Sequence, residues 1–131
     1  MIKTRFIKPY NSDGTTRLTK FRGKKGVYII RKIGTLKPSY IGYSGSDIYK
    51  TALRHFQAWN DKTQVRTTYP KTGYMIRLAI CKTAEQAKTL ETSLIKRYKP
   101  KDNPDKLSAI ILNSKHKKVA SEFEQLDSAP F

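Results

Sequence analysis

The stretch GVYIIRKIGTLKPSYIGYS, residues 26–44, holds two short motifs in which tyrosine lies close to glycine. Residues 26–33 are rich in β-branched and apolar side chains, and residues 39–43 follow a connection that contains glycine and proline. Such runs, separated by turn-forming residues, predict two antiparallel strands joined as a hairpin. The hairpin would bring Gly26-Val27-Tyr28 and Tyr40-Ile41-Gly42 onto neighbouring strands, with two phenols beside residues that lack side chains.

Two helices and a third strand are predicted after the hairpin. Ser46 can cap a helix over about 47–59, where apolar side chains recur at helical spacing. Residues 74–81 alternate as a strand does, and Thr83 can cap a second helix over about 84–98. This order predicts a small α+β domain, a three-stranded antiparallel sheet flanked by helices.

The body of the chain, residues 23–104, lies between two shorter segments. The basic N-terminal arm, residues 1–22, has Asp13-Gly14 between two runs, which indicates a short added hairpin. The C-terminal extension, residues 105–131, ends in an acidic tail at Ser121–Phe131. We expect that tail to be a disordered end, and the alternative is a segment that folds back over a basic groove.

The charge is strongly unbalanced, with 27 Lys and Arg against 10 Asp and Glu and a net charge of +17. This excess indicates a polyanionic partner, because each neutralised phosphate releases condensed counterions. The alternative is a basic soluble protein such as a ribosomal protein. The length of 131 residues suits one domain.

Several classes of protein are not indicated. No run approaches the roughly 18 apolar residues that span a bilayer, and we find no signal-peptide core. Cys81 is the single cysteine, which excludes a disulfide framework and a cysteine-based zinc site. A reducing cytoplasm is therefore the expected location.

Glu91 is a carboxylate that the helical pattern places among apolar side chains. On an ideal helix, with Ala87 as the origin, Glu91 falls at about 40°, within the arc of Leu90, Leu94 and Tyr98. A carboxylate there is costly unless a cation, hydrogen-bond donors or a metal compensates it. The geometry leaves three interpretations open: a pair with Lys or Arg, the edge of the apolar stripe, or a metal ligand.

The sequence resembles the GIY-YIG nuclease family, because it contains, in order along the chain, the two motifs, a helical arginine, this glutamate and an asparagine. The resemblance covers about residues 23–104, and it implies a metal-dependent DNA endonuclease. The matching stretches are Gly26–Ile30, Tyr40–Ser44, Ala52-Leu53-Arg54, and Leu90-Glu91 through Tyr98-Lys99-Pro100 to Asn103.

The resemblance also implies a role for each matched side chain. Glu91 would hold one Mg²⁺ or Mn²⁺ ion, the base would be Tyr28, and Tyr40 would orient the water and the phosphate. Arg54 would stabilise developing charge, and Asn103 would position the end of the second helix or the phosphate. A free phenol has a pKa of about 10, so nearby cations must lower it.

The pattern of residues alone is less specific at two of these positions. Arg54 projects away from the apolar face of its helix, which by itself favours a solvated surface residue. Asn103 lies among turn-forming residues, which by itself favours a turn.

Four further residues would support the site: Gly26, Gly42, Tyr43 and His55. The glycines would let backbone or phosphate approach closely. Tyr43 stands where many family members have lysine, and Ala58 stands where many have histidine. His55 projects to the flank of the apolar face, which favours a structural histidine. Which residue assists the base is therefore open.

Basic and aromatic residues interleave outside the site, as they do in proteins that follow a nucleic-acid backbone. No sequence-reading module is recognised, so duplex, single-stranded and branched DNA are all candidate substrates. The alternatives to a nuclease are a non-catalytic nucleic-acid-binding module of the same fold and a basic ribonucleoprotein component. The residues expected to contact DNA are Arg22, Lys24, Lys25, Lys62, Arg66 and Lys71.

Overall fold

The computed structural model describes residues 1–57, 67–103 and 111–130. Within these residues a five-stranded sheet, in the order β3-β2-β4-β1-β5, carries helices on both faces. The strands are β1 (Ile2–Thr4), β2 (Lys25–Lys32), β3 (Tyr40–Ser44), β4 (Tyr74–Cys81) and β5 (Ser128–Ala129). The α-helices are α1 (Ile48–Leu53), α2 (Ala84–Tyr98) and α3 (Ser114–Gln125), and 3-10 turns occur at Thr19–Phe21 and Arg54–Phe56.

The central strands form as predicted, and the α+β class is confirmed. β2 pairs antiparallel with β3 and with β4, and Tyr28 lies opposite both Gly42 and Leu78. The count of three strands is wrong, because β1 pairs with β4 and β5 pairs with β1. These two strands have three and two residues, too short for an alternating pattern to identify them.

The N-terminal arm forms the predicted turn without the two strands of a hairpin. The Asn11 N–H donates to the carbonyl of Thr15 at 2.7 Å, and one isolated bridge joins Tyr10 to Thr16. A second bridge joins Ile7 to Ile76 and so ties the arm to β4. Pro9 has no N–H to donate, which limits regular pairing here.

Each face of the sheet has its own hydrophobic core, because successive side chains of a strand point to opposite faces. Tyr28 and Ile30 of β2 pack on the face that carries α1 and the arm. Val27 and Ile29 pack on the opposite face, which carries α2 and α3. β2 is therefore covered on both sides, which explains its nearly continuous apolar sequence.

α1 is shorter than the helix predicted to run to residue 59. Its N-cap is Asp47 rather than Ser46, and the Asp47 carboxylate accepts from two backbone N–H groups of the first turn. The α-helix ends at Leu53, and Arg54–Phe56 continue as a 3-10 turn. The predicted end of this helix lies outside the described residues.

α2 begins and ends at the predicted residues. Thr83 caps it, since its Oγ1 accepts from the N–H of Gln86 at 3.0 Å. Lys99 ends it in the left-handed region at φ 47°, and its N–H donates to the carbonyl of Ile95 at 2.9 Å.

The described part of the C-terminal extension, residues 111–130, folds, so the expectation of a disordered acidic tail is wrong there. α3 packs on α2, with Val119 and Phe123 buried in the core that α2 shares with the sheet. β5 then pairs in parallel with β1. The acidic composition concealed this anchoring, because a single buried aromatic residue, Phe123, lies among the tail's acidic and polar side chains. Among the described residues, no helix has the length and apolarity to cross a membrane.

Candidate active site

A cleft of about 670 Å³ opens beside β3, which is the edge strand of the sheet. It gathers eight of the residues that the sequence nominated for catalysis or its support. The residues that line it are Tyr28, Tyr40, Gly42, Tyr43, Thr51, Arg54, His55, Thr67, Glu91, Asp102 and Asn103.

The position of β3 explains how residues from both faces of the sheet reach one cleft. Tyr28 and Tyr40 belong to the face that carries α1, whereas α2 packs on the other face. Because no strand lies beyond β3 among the described residues, α2 can present Glu91 around that edge. Tyr43 reaches the cleft from the same side as α2.

Tyr28 is held in place by three neighbours, and only 2% of it is exposed. Its phenol oxygen lies 2.7 Å from Nε2 of His55. Its ring stacks on the ring of Tyr40, with centroids 6.2 Å apart and planes inclined by 20°. A Cβ atom on Gly42 would overlap the phenol oxygen, so this glycine makes room for the tyrosine.

His55 is buried between the two tyrosines, with 6% of it exposed. Its Nδ1 lies 2.8 Å from the carbonyl oxygen of Thr67. A carbonyl only accepts, so Nδ1 carries the proton, and Nε2 of the neutral ring accepts from the Tyr28 hydroxyl. The structural histidine expected from the sequence is indeed buried, and it also forms a side-chain hydrogen bond with Tyr28.

The contact between His55 and Tyr28 depends on the 3-10 turn at the end of α1. A 3-10 turn advances about 120° per residue rather than 100°, so side chains after Leu53 leave the positions of an ideal α-helix. The helical periodicity that placed His55 at the flank of the apolar face could not include this change. The sequence feature that could have indicated this contact is the position of His55 directly after Arg54, the residue expected to bind phosphate.

Arg54 and Glu91 line the cleft from different helical segments. Arg54 is partly buried at the start of the 3-10 turn, rather than fully solvated as its spacing alone suggested. Glu91 is partly buried on α2, seven residues after the start of that helix. A cation and a carboxylate therefore lie within one cavity with three tyrosines.

The segment after α2 pairs with the outer edge of β3. The Asn103 side chain accepts from the Ile41 N–H and donates to the Ile41 carbonyl, both at 2.8 Å. The Asp102 N–H donates to the carbonyl of Ser39 at 2.8 Å. These contacts favour the positioning role for Asn103, because its amide group is bonded at both ends to backbone.

Three lining residues were not nominated from the sequence: Thr51, Thr67 and Asp102. The Asp102 carboxylate accepts from the Tyr69 hydroxyl at 2.6 Å. Burial, and then this carboxylate, raise the pKa of Tyr69 above its ordinary value. Asp102 appeared as a turn residue in the sequence, and only the fold brings it to the cleft.

Gly26 does not line the cleft, unlike Gly42. A Cβ atom there would overlap the carbonyl oxygen of Ala79 on β4. The glycine of the first motif therefore permits close approach of neighbouring backbone, and not of a substrate.

The predicted DNA contacts are spread along the sheet rather than gathered at the cleft. Lys24, Lys25 and Lys71 are exposed, and Arg22 lies over the ring of Tyr49 at 4.6 Å. Lys25 begins β2, and Lys71 lies near the other end of that strand, which is about 23 Å long. Lys62 and Arg66 lie outside the described residues.

The described residues of the acidic tail, 121–130, do not line the cleft. None of the described residues of α3 or β5 lines it. The fold-back alternative is therefore not observed over residues 111–130.

The donor set of the cleft suits one hard cation bound largely through water and substrate. Within the described residues, no group of three His, Cys, Asp or Glu side chains could hold a metal ion. Glu91 and Asp102 are the cleft carboxylates, and Asp102 is already bonded to Tyr69. Mg²⁺ commonly uses one or two carboxylates together with waters and substrate phosphate oxygens, so these residues fit such an ion.

A family model described as the GIY-YIG catalytic domain matches residues 24–106, which is more than half of the chain. The matched range begins just before β2 and extends past Asn103, so it includes every residue that lines the cleft. No curated protein matches the chain.

Proposed function

The chain belongs to the GIY-YIG family, and from that premise we propose that it is a metal-dependent endonuclease acting on DNA. Membership supports nuclease activity in general. The finer proposal is that one ion and the β3 cleft together hydrolyse DNA phosphodiester bonds. The observation that carries it is the hydrogen bond between Tyr28 and His55 in the same cleft as Arg54 and Glu91.

Tyr28 and His55 are proposed to move the proton of the attacking water. Hydrolysis forms a bond from water oxygen to phosphorus and breaks one bond from phosphorus to a sugar oxygen, which leaves as an alkoxide and takes a proton from bulk water. Tyr28 accepts the water proton while its own proton passes to Nε2 of His55. The phenol is therefore regenerated, and the positive charge rests on a ring whose Nδ1–H is held by the Thr67 carbonyl.

Tyr40 and Arg54 are proposed to hold the phosphate. The Tyr40 ring stacks on Tyr28 and lies 4.5 Å from the His55 ring, so its position is fixed relative to the base. The Arg54 guanidinium donates to phosphate oxygens that gain negative charge as water attacks. Asn103 keeps β3 in register with the end of α2 and acts through that alignment.

Glu91 is the residue proposed to hold Mg²⁺ or Mn²⁺. When bound, such an ion acts as a Lewis acid that stabilises negative charge on phosphate oxygens. A single carboxylate ligand predicts weak binding, so a chelator should remove the ion easily.

The test compares wild type with Glu91→Gln on supercoiled plasmid and on labelled single-stranded DNA, with Mg²⁺, Mn²⁺ or EDTA. Gln keeps the size of the side chain and removes its charge. We expect wild type to cut with the metals and not with EDTA, and Glu91→Gln to lose cutting while its DNA affinity, measured by fluorescence anisotropy, stays near wild type. Glu85→Gln, an exposed carboxylate on the same helix, is the matched control and should cut normally.

Two results would overturn the proposal. Tight binding by wild type without cutting under either metal would favour the non-catalytic binding module. Normal cutting by Glu91→Gln would show that the Glu91 carboxylate is not needed for the reaction.

A further inference from the structure

A second pocket, of about 440 Å³, lies between the N-terminal arm and the start of β4. The arm contributes Lys8, Tyr10 and Asn11, and the segment leading into β4 contributes Lys71 and Tyr74. The family match begins at residue 24, so the arm lies outside it. The pocket therefore combines residues of the matched domain with a segment that lies outside the match.

Two tyrosine rings in the pocket are held in place from behind. Tyr10 packs edge-on against Phe56, with ring centroids 6.2 Å apart and planes inclined by 78°. Tyr74 packs against Tyr69, with centroids 4.7 Å apart. Both tyrosines are partly buried against the core that also contains Tyr28. Rings fixed in this way offer stacking surfaces at little entropic cost.

The pocket is also positively charged. Lys8 and Lys71 are exposed, and Lys71 Nζ lies 4.9 Å from the centre of the Tyr10 ring. None of its described lining residues is acidic. The neighbouring carboxylate, Asp13, is engaged by the N–H and hydroxyl of Thr15 at 2.9 and 2.6 Å.

The pocket lies close to the cleft on the same face of the sheet. Tyr40 pairs with Ile30 of β2, and Tyr74 pairs with Lys32, two residues further along. Strand geometry then separates Tyr40 from Tyr74 by about 12 Å, a distance that a few nucleotides span. Tyr69 joins the two sites, since its ring contacts Tyr74 and its hydroxyl donates to Asp102 in the cleft.

We propose that this pocket binds one unpaired nucleotide of DNA, a few nucleotides from the phosphate that the cleft cuts. The base stacks against the tyrosine rings, and Lys8 and Lys71 contact its phosphates. A base inside an intact duplex is already stacked and paired, so it can enter only at the cost of unpairing and unstacking, about a few kcal/mol. The inference rests on the proposed function only for the position of the cut, and it assigns the enzyme a preference for DNA with single-stranded segments.

The test measures binding without cleavage, in EDTA at fixed salt, by fluorescence anisotropy on single-stranded and duplex oligonucleotides. We expect Tyr10→Leu to weaken single-strand binding about tenfold and to leave duplex binding unchanged. Tyr10→Phe keeps the ring and should bind as wild type does. A 2-aminopurine base in the strand should be quenched by wild type and less so by Tyr10→Leu.

Lysine variants provide a second test of the pocket if Tyr10→Leu folds poorly. Lys71→Ala should weaken single-strand binding more than Lys118→Ala, which removes the same charge from an exposed position on α3. Equal effects of these two variants, or equal loss of single-strand and duplex binding in Tyr10→Leu, would overturn the inference. Because no metal or cutting is needed, an inactive wild type would contradict the proposed function alone.

Discussion

The two motif glycines of the central hairpin make room for different neighbours. At Gly26 the obstacle to a side chain is the Ala79 carbonyl, which is part of a paired strand and cannot move aside. At Gly42 the obstacle is the Tyr28 phenol, which can turn only by leaving Nε2 of His55. Gly26 therefore allows two strands to pair closely, and Gly42 makes room for Tyr28 in the cleft.

We predict that alanine lowers stability at one of these positions and activity at the other. Gly26→Ala should lower the free energy of unfolding by about 1–3 kcal/mol, as overpacking typically does. Gly42→Ala should lower cutting about 100-fold, because displacing a reacting group by about 1 Å has that effect. Urea unfolding and plasmid nicking, measured on both variants, distinguish the loss of stability from the loss of activity. A Gly42→Ala variant that cuts normally would show that Tyr28 tolerates displacement.

At the residue scale, the sequence predicted which side chains share the cleft better than how they touch. Tyr28, Tyr40, Arg54 and Glu91 were nominated through the family resemblance and do line one cavity. The bond from Tyr28 to His55 could not be predicted, because it requires the 3-10 turn after Leu53 and the carbonyl of Thr67.

At the scale of elements, the edge of β3 decides where the site lies. Ordinary edge strands expose unpaired N–H and carbonyl groups, and here Asn103 and Asp102 bond to part of that edge. The residues after α2 thereby replace a missing neighbouring strand. The alignment of Glu91 with the tyrosines depends on this pairing.

We predict that Asn103→Asp destabilises the edge and slows cutting. The substitution removes the N–H donor and sets a charged oxygen against the Ile41 carbonyl, at a cost of about 1–3 kcal/mol. Urea unfolding and single-turnover cutting measure the two effects. Asn113→Asp introduces the same charge at the N-cap of α3, where Asp is equally suitable, and should change neither. Equal behaviour of the two variants would contradict the role given to Asn103.

Long elements were predicted well and short ones were not. The bounds of α2 follow from Thr83 and its regular apolar spacing. β1 and β5 are stabilised by contacts distant in sequence, such as the bond from the Leu78 N–H to Thr4 Oγ1 at 2.9 Å. The local sequence of a strand of two or three residues does not indicate which distant residue it will contact.

At the scale of the whole molecule, the net charge of +17 favours a polyanionic partner. Exposed lysines occur at both ends of β2, so phosphates well beyond the cleft should be contacted. The cytoplasmic location stays a prediction. Burial raises the pKa of the Cys81 thiol to about 11, so this thiol should react slowly in the folded protein.

We predict a steep dependence of DNA affinity on salt. If about six to ten phosphates are neutralised, affinity should fall about 10³–10⁵-fold between 50 and 200 mM salt. Replacing Lys24 and Lys25 by alanine should reduce the slope by about two. Replacing Lys117 and Lys118 of α3 removes the same charge away from the hairpin and should reduce it less. A flat dependence would contradict the proposed electrostatic contact.

The most direct test of the account is single-turnover cutting by Tyr28→Phe, His55→Gln and the double variant, each compared with wild type in Mg²⁺. If the two residues move one proton, each single variant should lose about 10²–10⁴-fold in rate, and the double should lose little more. Tyr98→Phe, which removes a hydroxyl from a partly buried tyrosine of α2 outside both the cleft and the second pocket, is the matched control. Wild-type rates for Tyr28→Phe, or losses that multiply in the double variant, would contradict the account.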